Sequence, residues 1–163
     1  MDREAASCRQ LASRARKSLK ANRKKFVPDP ELAKKLTATF QQAISDGDVT
    51  NLTNLLSENA CFVSDGGGKV AAVPAPVRGA AKIAKMLVGF TKSFRNPEQL
   101  EVFDVLVNGL PGFVLRQNGR TIQTVALEIN ANDLIENIYV VRNPEKLQHL
   151  DRLNNGENWG TSD

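Results

Sequence analysis

A run of three glycines between an acid and a base is the feature of this sequence that most directly suggests binding chemistry. The run is Asp65-Gly66-Gly67-Gly68-Lys69. Consecutive glycines allow positive φ angles and close backbone approach, so their amides could form a nest for an anion. A phosphate loop of the nucleotide-hydrolase type needs serine or threonine after its lysine, and here Val70 follows Lys69. The local pattern therefore favours a surface loop over an anion site.

A carboxylate in an apolar pocket is the second chemistry to consider, since burial raises the pKa of a carboxyl and suits it to proton transfer. Asp104 is the best candidate, because strand alternation puts it on one face with Val102 and Leu106, and Glu128 is a weaker one. No second carboxylate or histidine lies at a spacing that would complete a pair. The single histidine, His149, excludes sites that need two. We predict a protein that is not an enzyme and uses no metal or cofactor, with Asp104 as the outside catalytic candidate.

Positive charge is concentrated at the N-terminus. Residues 1–25 hold nine basic and two acidic residues, a net charge of +7, whereas the remaining chain carries −3. A basic arm of this kind can bind a phosphate backbone through counterion release. The alternative is a solvated helix that keeps the terminus soluble.

Length and composition describe a soluble globular protein. The 163 residues suffice for one domain with a core of its own, with 41% apolar and 25% charged residues. No apolar run is long enough to span a membrane, and no secretory signal is visible. Cys8 and Cys61 lie in segments of different character, so we expect no disulfide framework and a cytoplasmic location.

The elements that must position these residues change type half-way along the chain. Helices are predicted over 4–25, about 31–45, about 49–56 and about 79–93, with a proline-containing linker at 26–30 and a short strand at 60–63. In the second helix, Leu32, Leu36, Phe40 and Ile44 repeat every four residues. Residues 70–78 are expected to form an irregular loop.

The second half of the chain is predicted to form strands. They cover 100–107, 113–116, 121–129 and 134–142, separated by turns at 108–112, 118–119 and 130–133. Tyr139, in the last strand, is expected in the core or a pocket wall. Helices followed by antiparallel strands predict an α+β fold, a curved antiparallel sheet packed on helices around a cone-shaped cavity. We divide the chain into a basic helix (1–26), a body (27–150) and a polar tail (151–163).

Three segments of the body resemble a known family when they are taken in order. They are the glycine run, Val107-Asn-Gly-Leu-Pro-Gly112, and Val140-Val-Arg-Asn-Pro-Glu-Lys-Leu147. Together they resemble the C-terminal SnoaL-like domain of extracytoplasmic-function sigma factors, a domain of the NTF2-like cone superfamily. Family members often carry aspartate where this chain has Glu145. The resemblance implies that the domain regulates the sigma core by contact, with RNA polymerase as the eventual partner.

Two sets of site residues follow from the resemblance. The contact surface would consist of Asp65, Gly66, Gly67, Gly68 and Lys69 together with Asn143, Pro144, Glu145, Lys146 and Leu147.

The N-terminal helix resembles the recognition helix that closes sigma region 4, which reads promoter DNA from the major groove. It would place Arg9, Gln10, Ser13 and Arg14 toward the groove, and Lys17, Lys20 and Arg23 toward phosphates. The sequence departs from the family because region 2 and most of region 4 are missing. Promoter contact is therefore expected only within a complete factor.

Two other classes of function stay open at this point. One is a stand-alone NTF2-like module for a small apolar ligand, in which the basic helix is incidental. The other is a small isomerase or cyclase that uses Asp104. A homodimer is compatible with each of these functions.

Overall fold

The structure, a computed structural model, describes residues 28–68, 72–92, 97–148 and 150. The predicted basic helix with Arg9, Gln10, Ser13, Arg14 and Lys17 lies outside the described residues, as do Lys69, His149 and the polar tail.

Three helices precede or interrupt the strands, and a short one follows them. They are α1 (Pro30–Asp46), α2 (Val49–Leu55), α3 (Ala80–Thr91) and α4 (Pro144–Leu147). Asp29 caps α1 by accepting a hydrogen bond from the Glu31 amide at 3.4 Å, and Gly47, in the left-handed region, ends it. Asp48 then caps α2 through the Asn51 amide at 3.0 Å. The predicted turn between these helices therefore both ends one helix and begins the next.

Six strands form one sheet in the order β2-β1-β6-β5-β4-β3. Their bounds are β1 (Leu56–Asp65), β2 (Val77–Arg78), β3 (Leu100–Val107), β4 (Leu110–Gln117), β5 (Arg120–Ile129) and β6 (Ile135–Val141). All neighbouring pairs are antiparallel except β1 and β6, which run parallel. The parallel pair arises because α3 and three hairpin strands separate the two partners along the chain.

The core lies between the helices and the inner face of the sheet. Phe40 of α1 packs against Phe113 of β4 with ring centroids 6.2 Å apart. Behind this contact, Leu127 and Ile138 are cross-strand neighbours and both are completely buried. Strand alternation therefore gives the sheet an apolar inner face, and the helices cover it.

The outer face of the sheet carries a different set of residues. The Arg116 guanidinium is buried there, stacks 5.4 Å from the centre of the Phe103 ring, and donates a hydrogen bond to the Leu150 carbonyl at 3.0 Å. Leu147 and Leu150 are buried as well. The chain that follows β6 therefore packs back onto this side of the domain.

The predicted α+β fold is confirmed. The differences are that the sheet is not wholly antiparallel, since β1 and β6 are parallel, and that some element ends and one helix face are shifted. The buried stripe of α1 is Ala33, Thr37, Phe40 and Ala43, so most of the core-facing residues sit one position away from the predicted leucines. β1 extends well beyond the predicted four residues, and Val77 and Arg78 form a short strand inside the predicted loop.

The turn predicted at 108–112 is wrong in its second half. Only Asn108 and Gly109, both with positive φ, form the turn, and Leu110-Pro-Gly112 already belong to β4. Pro111 is tolerated because the pairing of β4 with β5 begins only at Gly112, so its missing amide costs no ladder hydrogen bond there. No helix of the described residues combines the length and apolarity needed to cross a membrane.

Candidate interaction site

The parallel strands β1 and β6 end side by side, and this brings two distant sequence motifs together. Asp65, the last residue of β1, pairs with Val141 of β6, and its carbonyl accepts a hydrogen bond from the Arg142 amide at 2.7 Å. The chain then leaves β1 into the glycine run and leaves β6 into Asn143-Pro-Glu-Lys-Leu147. We call Asp65–Gly68 together with Asn143–Leu147 the β1–β6 corner.

Asp65 connects the two halves of the corner through its carboxylate. One carboxylate oxygen accepts a hydrogen bond from the Gly67 amide at 2.9 Å, which closes a tight turn at the start of the glycine run. The other oxygen lies 2.5 Å from the Lys146 ammonium, 81 positions away in the chain. The side chains of Lys146 and Asp65 remain 45% and 33% exposed. The ion pair is therefore half-buried and accessible to a partner.

Gly67 and Asn143 form the second connection. A Cβ atom on Gly67 would lie 2.4 Å from Cγ of Asn143, so only glycine fits beneath this amide, and the φ of +64° also favours glycine. Asn143 is buried, and its side-chain oxygen accepts the Glu145 amide at 3.1 Å, which caps α4. Asn143 therefore fixes the position of the turn and of the helix together.

The short helix α4 presents its remaining residues outward. Leu147 is buried and anchors the helix, whereas Pro144, Glu145 and Lys146 are exposed. Of the ten residues predicted for the contact surface, the structure brings nine into one corner. The tenth, Lys69, lies outside the described residues. The corner presents the carboxylates of Asp65 and Glu145 and the ammonium group of Lys146, an arrangement suited to pairing with charged groups of a protein partner.

Asp104, the outside catalytic candidate, lies elsewhere, and its predicted enclosure is wrong. It does share a face of β3 with Val102 and Leu106, as alternation predicts, but all three side chains are exposed. Its carboxylate accepts a hydrogen bond from the side-chain amide of Gln41 at 2.8 Å. β3 is the edge strand, so this face lies at the periphery of the sheet rather than under the helices. Asp104 therefore lacks the apolar surroundings that proton transfer would require.

Glu128, the weaker candidate, is buried on the outer face in a polar cluster that was not predicted from the sequence. One of its carboxylate oxygens accepts hydrogen bonds from the side-chain amide of Asn137 at 2.7 Å and from the Tyr139 hydroxyl at 3.0 Å. Burial, followed by the nearby Glu128 carboxylate, holds the pKa of Tyr139 well above its ordinary value.

Tyr139 thus lies on the outer face of the sheet, whereas the sequence had suggested the core or a pocket wall. The strand register could have revealed this cluster. Glu128 pairs directly with Asn137, and Tyr139 is two positions further along the same face of β6. In the described part of the chain, no three potential ligands among histidine, cysteine, aspartate and glutamate cluster as a metal site would require.

This chain is similar to part of one curated protein. No family model matches the chain. A curated protein, the ECF RNA polymerase sigma factor SigJ of Mycobacterium tuberculosis, is 31% identical over 90 residues, which cover 55% of this chain and 29% of that protein. The chain thus spans under a third of that relative's length.

Solved structures support the fold over more of the chain. A SnoaL-like protein from Burkholderia thailandensis has a TM-score of 0.50 at 11% identity, covering 69% of this chain and 94% of its own. A steroid delta-isomerase from Pseudomonas aeruginosa has a TM-score of 0.51 at 17% identity, and the alignment covers 77% of this chain and 90% of the isomerase. At these identities the likeness concerns the fold alone.

The crystal structure of the Mycobacterium tuberculosis extracytoplasmic function sigma factor SigJ aligns with a TM-score of 0.59 at 25% identity, over 88% of this chain and 50% of that chain. Over the part that the two share, this chain is similar in sequence and structure to an extracytoplasmic-function sigma factor, and its fold is SnoaL-like. The resemblance and the fold predicted from the sequence are thereby confirmed. In the SnoaL-like domain, the glycine run and the Asn143–Leu147 segment are the two halves of one corner.

Proposed function

We propose that the SnoaL-like domain regulates a sigma factor in transcription initiation by direct contact, and that the β1–β6 corner is the contact surface. The observation that carries the proposal is the half-buried Lys146–Asp65 ion pair, which joins two motifs far apart in sequence. The partner would be the sigma core, and through it RNA polymerase in the cytoplasm. Promoter DNA would be bound only by a complete factor.

The exposure of the ion pair supports a role in recognition. A half-exposed pair contributes only about 0.2–1 kcal/mol to stability because water and ions screen it. Charges at the edge of an interface instead select partners and orient them. Asp65 and Lys146 are held in place by Gly67 and by helix α4. They can therefore meet a partner without first losing side-chain freedom.

Rigid geometry around the pair is the second support. Asn143 lies against Gly67 and caps α4, so the turn and the helix move as one unit. The fixed Asp65–Lys146 pair, with the exposed Glu145 beside it, selects a partner surface with the opposite arrangement of charges. Like charges brought together in a wrong register would cost binding energy.

An exchange of the two charges tests the proposal. In a complete factor, or with the sigma core added in trans, Asp65→Lys with Lys146→Asp keeps an ion pair in the corner but reverses its polarity. We expect the single Asp65→Asn and Lys146→Met variants and the exchanged variant all to change core binding and transcription. The measurements are core affinity by calorimetry and transcript yield in vitro.

A matched control uses charges far from the corner. Lys82 and Lys85 are exposed on α3, so Lys82→Met removes one positive charge from a surface outside the corner. Its core affinity should equal that of the unmodified domain. Unchanged affinity and transcription in the exchanged variant would overturn the proposal, because the contact would then not depend on these charges.

A second experiment decides whether regulation acts within one polypeptide. Reading the genomic DNA in frame upstream of the Met1 codon distinguishes the cases. An open frame that encodes a turn, a helix and sigma region 2 would mean regulation in cis. An in-frame stop codon would mean regulation in trans.

The two alternative functions rest on weaker support. A stand-alone module for a small apolar ligand is supported by the fold alone, and ligand-induced thermal stabilisation would favour it. Catalysis by Asp104 is disfavoured by the exposed position of that side chain on the edge strand.

A further inference from the structure

The free edge of the sheet carries a surface that the proposed contact does not use. Strand β3 ends the sheet, and no strand lies beyond it in the parts of the chain that are described. On its inner side, Val102 and Leu106 are 49% and 50% exposed, among the most exposed large apolar residues of the domain. Asp104 lies between them on the same face. We call Val102, Asp104 and Leu106 the β3 patch.

The described segment that carries the β3 patch is acidic. Residues 97–107 contain the acids Glu98, Glu101 and Asp104, all exposed, and no base. Glu101 faces the outer side, opposite Arg116 of β4, so Glu98 and Asp104 are the acids available near the patch. An edge strand with exposed apolar residues invites association, and its charges select the associating chain.

One segment of this chain complements the patch in both charge and pattern. Residues 1–25 carry a net charge of +7, and Cys8, Leu11, Ala15 and Leu19 recur at helical spacing among the basic residues. An apolar stripe flanked by bases matches two exposed apolar side chains flanked by acids.

The connection along the chain is short enough for this contact. The described chain begins beside α1, and Gln41 of α1 touches Asp104. Eleven helical residues separate Pro30 from Gln41, a distance of about 17 Å. A segment of 25 residues that precedes α1 can therefore reach β3 readily.

We propose that the basic N-terminal segment docks on the β3 patch of its own domain. The apolar stripe would cover Val102 and Leu106, and the flanking bases would pair with Asp104 and Glu98. Docking would withdraw those bases from nucleic acid, since a base paired with a carboxylate releases no counterions from a phosphate backbone. The contact would thus be autoinhibitory, and it is independent of the proposed role of the β1–β6 corner.

Paramagnetic broadening in the full chain tests the docking directly. The chain has two cysteines, so Cys61→Ser leaves Cys8 as the attachment point for a nitroxide within the basic segment. We expect amide signals of β3 to lose intensity, while those of β2 change far less, because β2 lies at the opposite edge, about 24 Å away. Raising the salt concentration to about 1 M should reduce the effect through screening. If Cys61→Ser disturbs the spectrum, Cys61→Ala replaces it.

Two further samples determine whether the docking is specific and intramolecular. The variant Val102→Ser with Leu106→Ser should remove the broadening of β3 while the dispersed spectrum of a folded domain persists. A mixture of isotope-labelled chain without nitroxide and unlabelled chain with nitroxide should show no broadening. Broadening of β3 in that mixture would assign the patch to a second copy and overturn the proposal. Uniform or absent broadening in the first sample, or broadening that survives the double serine change, would overturn it as well.

Discussion

The centre of the sheet and the β1–β6 corner are built from similar parts with different exposure. Each place holds a glycine against a close neighbour and a carboxylate against a hydrogen-bond donor. In the centre, Gly112 lies against the backbone of β5, and Glu128 is buried beneath Tyr139. At the corner, Gly67 lies against a side chain, and Asp65 pairs with a half-exposed lysine.

The difference is between a contact that a strand backbone makes and a contact that a side chain makes. A backbone neighbour cannot move without disturbing a strand, whereas a side chain can turn away. A buried carboxylate needs its partners for stability, whereas an exposed one retains water when its partner is lost. The charges at the corner can therefore be altered at modest cost in stability, as the proposed contact surface would require.

The largest expected effect is the loss of stability in Gly112→Ala. A Cβ at this position would lie 2.0 Å from the Val125 carbonyl oxygen. The strands would have to separate, so we expect the free energy of unfolding to fall by about 3 kcal/mol or more, as in severe overpacking. Urea denaturation followed by circular dichroism measures the change.

Gly89→Ala is the matched control for that variant. Gly89 lies in α3 with no atom within 4 Å of an added Cβ, so the same substitution should raise stability by about 0.5–1 kcal/mol. Equal effects of the two variants would contradict the assignment of Gly112 to a close strand contact.

The next effect compares two neighbouring glycines at the corner. Gly67 and Gly68 have φ angles of +64° and +75°, so alanine costs about 1–2 kcal/mol at each through backbone strain. Only Gly67→Ala also meets Asn143, whereas Gly68 has no atom within 4 Å. We expect Gly67→Ala to lose about 1 kcal/mol more than Gly68→Ala in the same urea titration, the low end of the cost of overpacking.

Adding Asn143→Ala isolates the side-chain contact. In that background the neighbour of Gly67 is gone, so the two alanine variants should become equally unstable. If Gly67→Ala still lost more stability than Gly68→Ala in this background, the extra loss would not come from the contact with Asn143.

The buried pair in the sheet centre should give stability a distinct dependence on high pH. Burial and Glu128 raise the pKa of Tyr139 above its ordinary value of 10.0. Above about pH 10 the unfolded chain releases this phenolic proton and the folded domain does not, so the unfolded state is favoured as the pH rises. Between about pH 10 and 11 this contributes a loss of about 1 kcal/mol, because the unfolded phenol is only half ionised at pH 10.

Tyr139→Phe shows which part of the pH dependence belongs to this residue. Tyr139 is the only tyrosine in the chain, so its ionisation can be followed by ultraviolet difference spectra without overlap. The native domain should show no tyrosinate near pH 11, and the phenylalanine variant should lose less stability between about pH 10 and 11. A native tyrosinate signal at ordinary pKa would show that the pair is not buried as described.

The sequence predicted the elements better than it predicted how their edges meet. The Asn118-Gly119 turn is a local signal, since a turn depends on a few adjacent residues, and it lies where the pattern indicated. The prediction that Asp104 is enclosed by apolar residues was wrong, because strand alternation assigns a side chain to a face of the sheet but does not say where in the sheet the strand lies. Whether that face lies under helices or at an edge depends on strand order, which is a property of the whole chain.

The residues of the candidate site were predicted from the family resemblance. The contacts that hold these residues together were not predicted. Nothing local to Asp65 or Lys146 indicates that they touch, because 81 positions separate them and the contact requires the parallel pairing of β1 with β6. The role of Gly67 was likewise hidden, since three glycines in a row look alike until Asn143 is placed against one of them.

The smallest expected effect on stability is at the ion pair, and it bears most directly on function. Asp65→Asn and Lys146→Met should each lower the free energy of unfolding by about 0.2–1 kcal/mol, because the pair is half-exposed. The exchanged variant, Asp65→Lys with Lys146→Asp, keeps an ion pair but loses the hydrogen bond that Asp65 accepts from the Gly67 amide, so its free energy of unfolding should fall by about 1 kcal/mol. If either single variant lowered the free energy of unfolding by several kcal/mol, the pair would instead stabilise the fold as the buried Glu128 does. A small loss of stability with a large loss of core binding would show that the corner contributes its charges to a partner more than to its own fold.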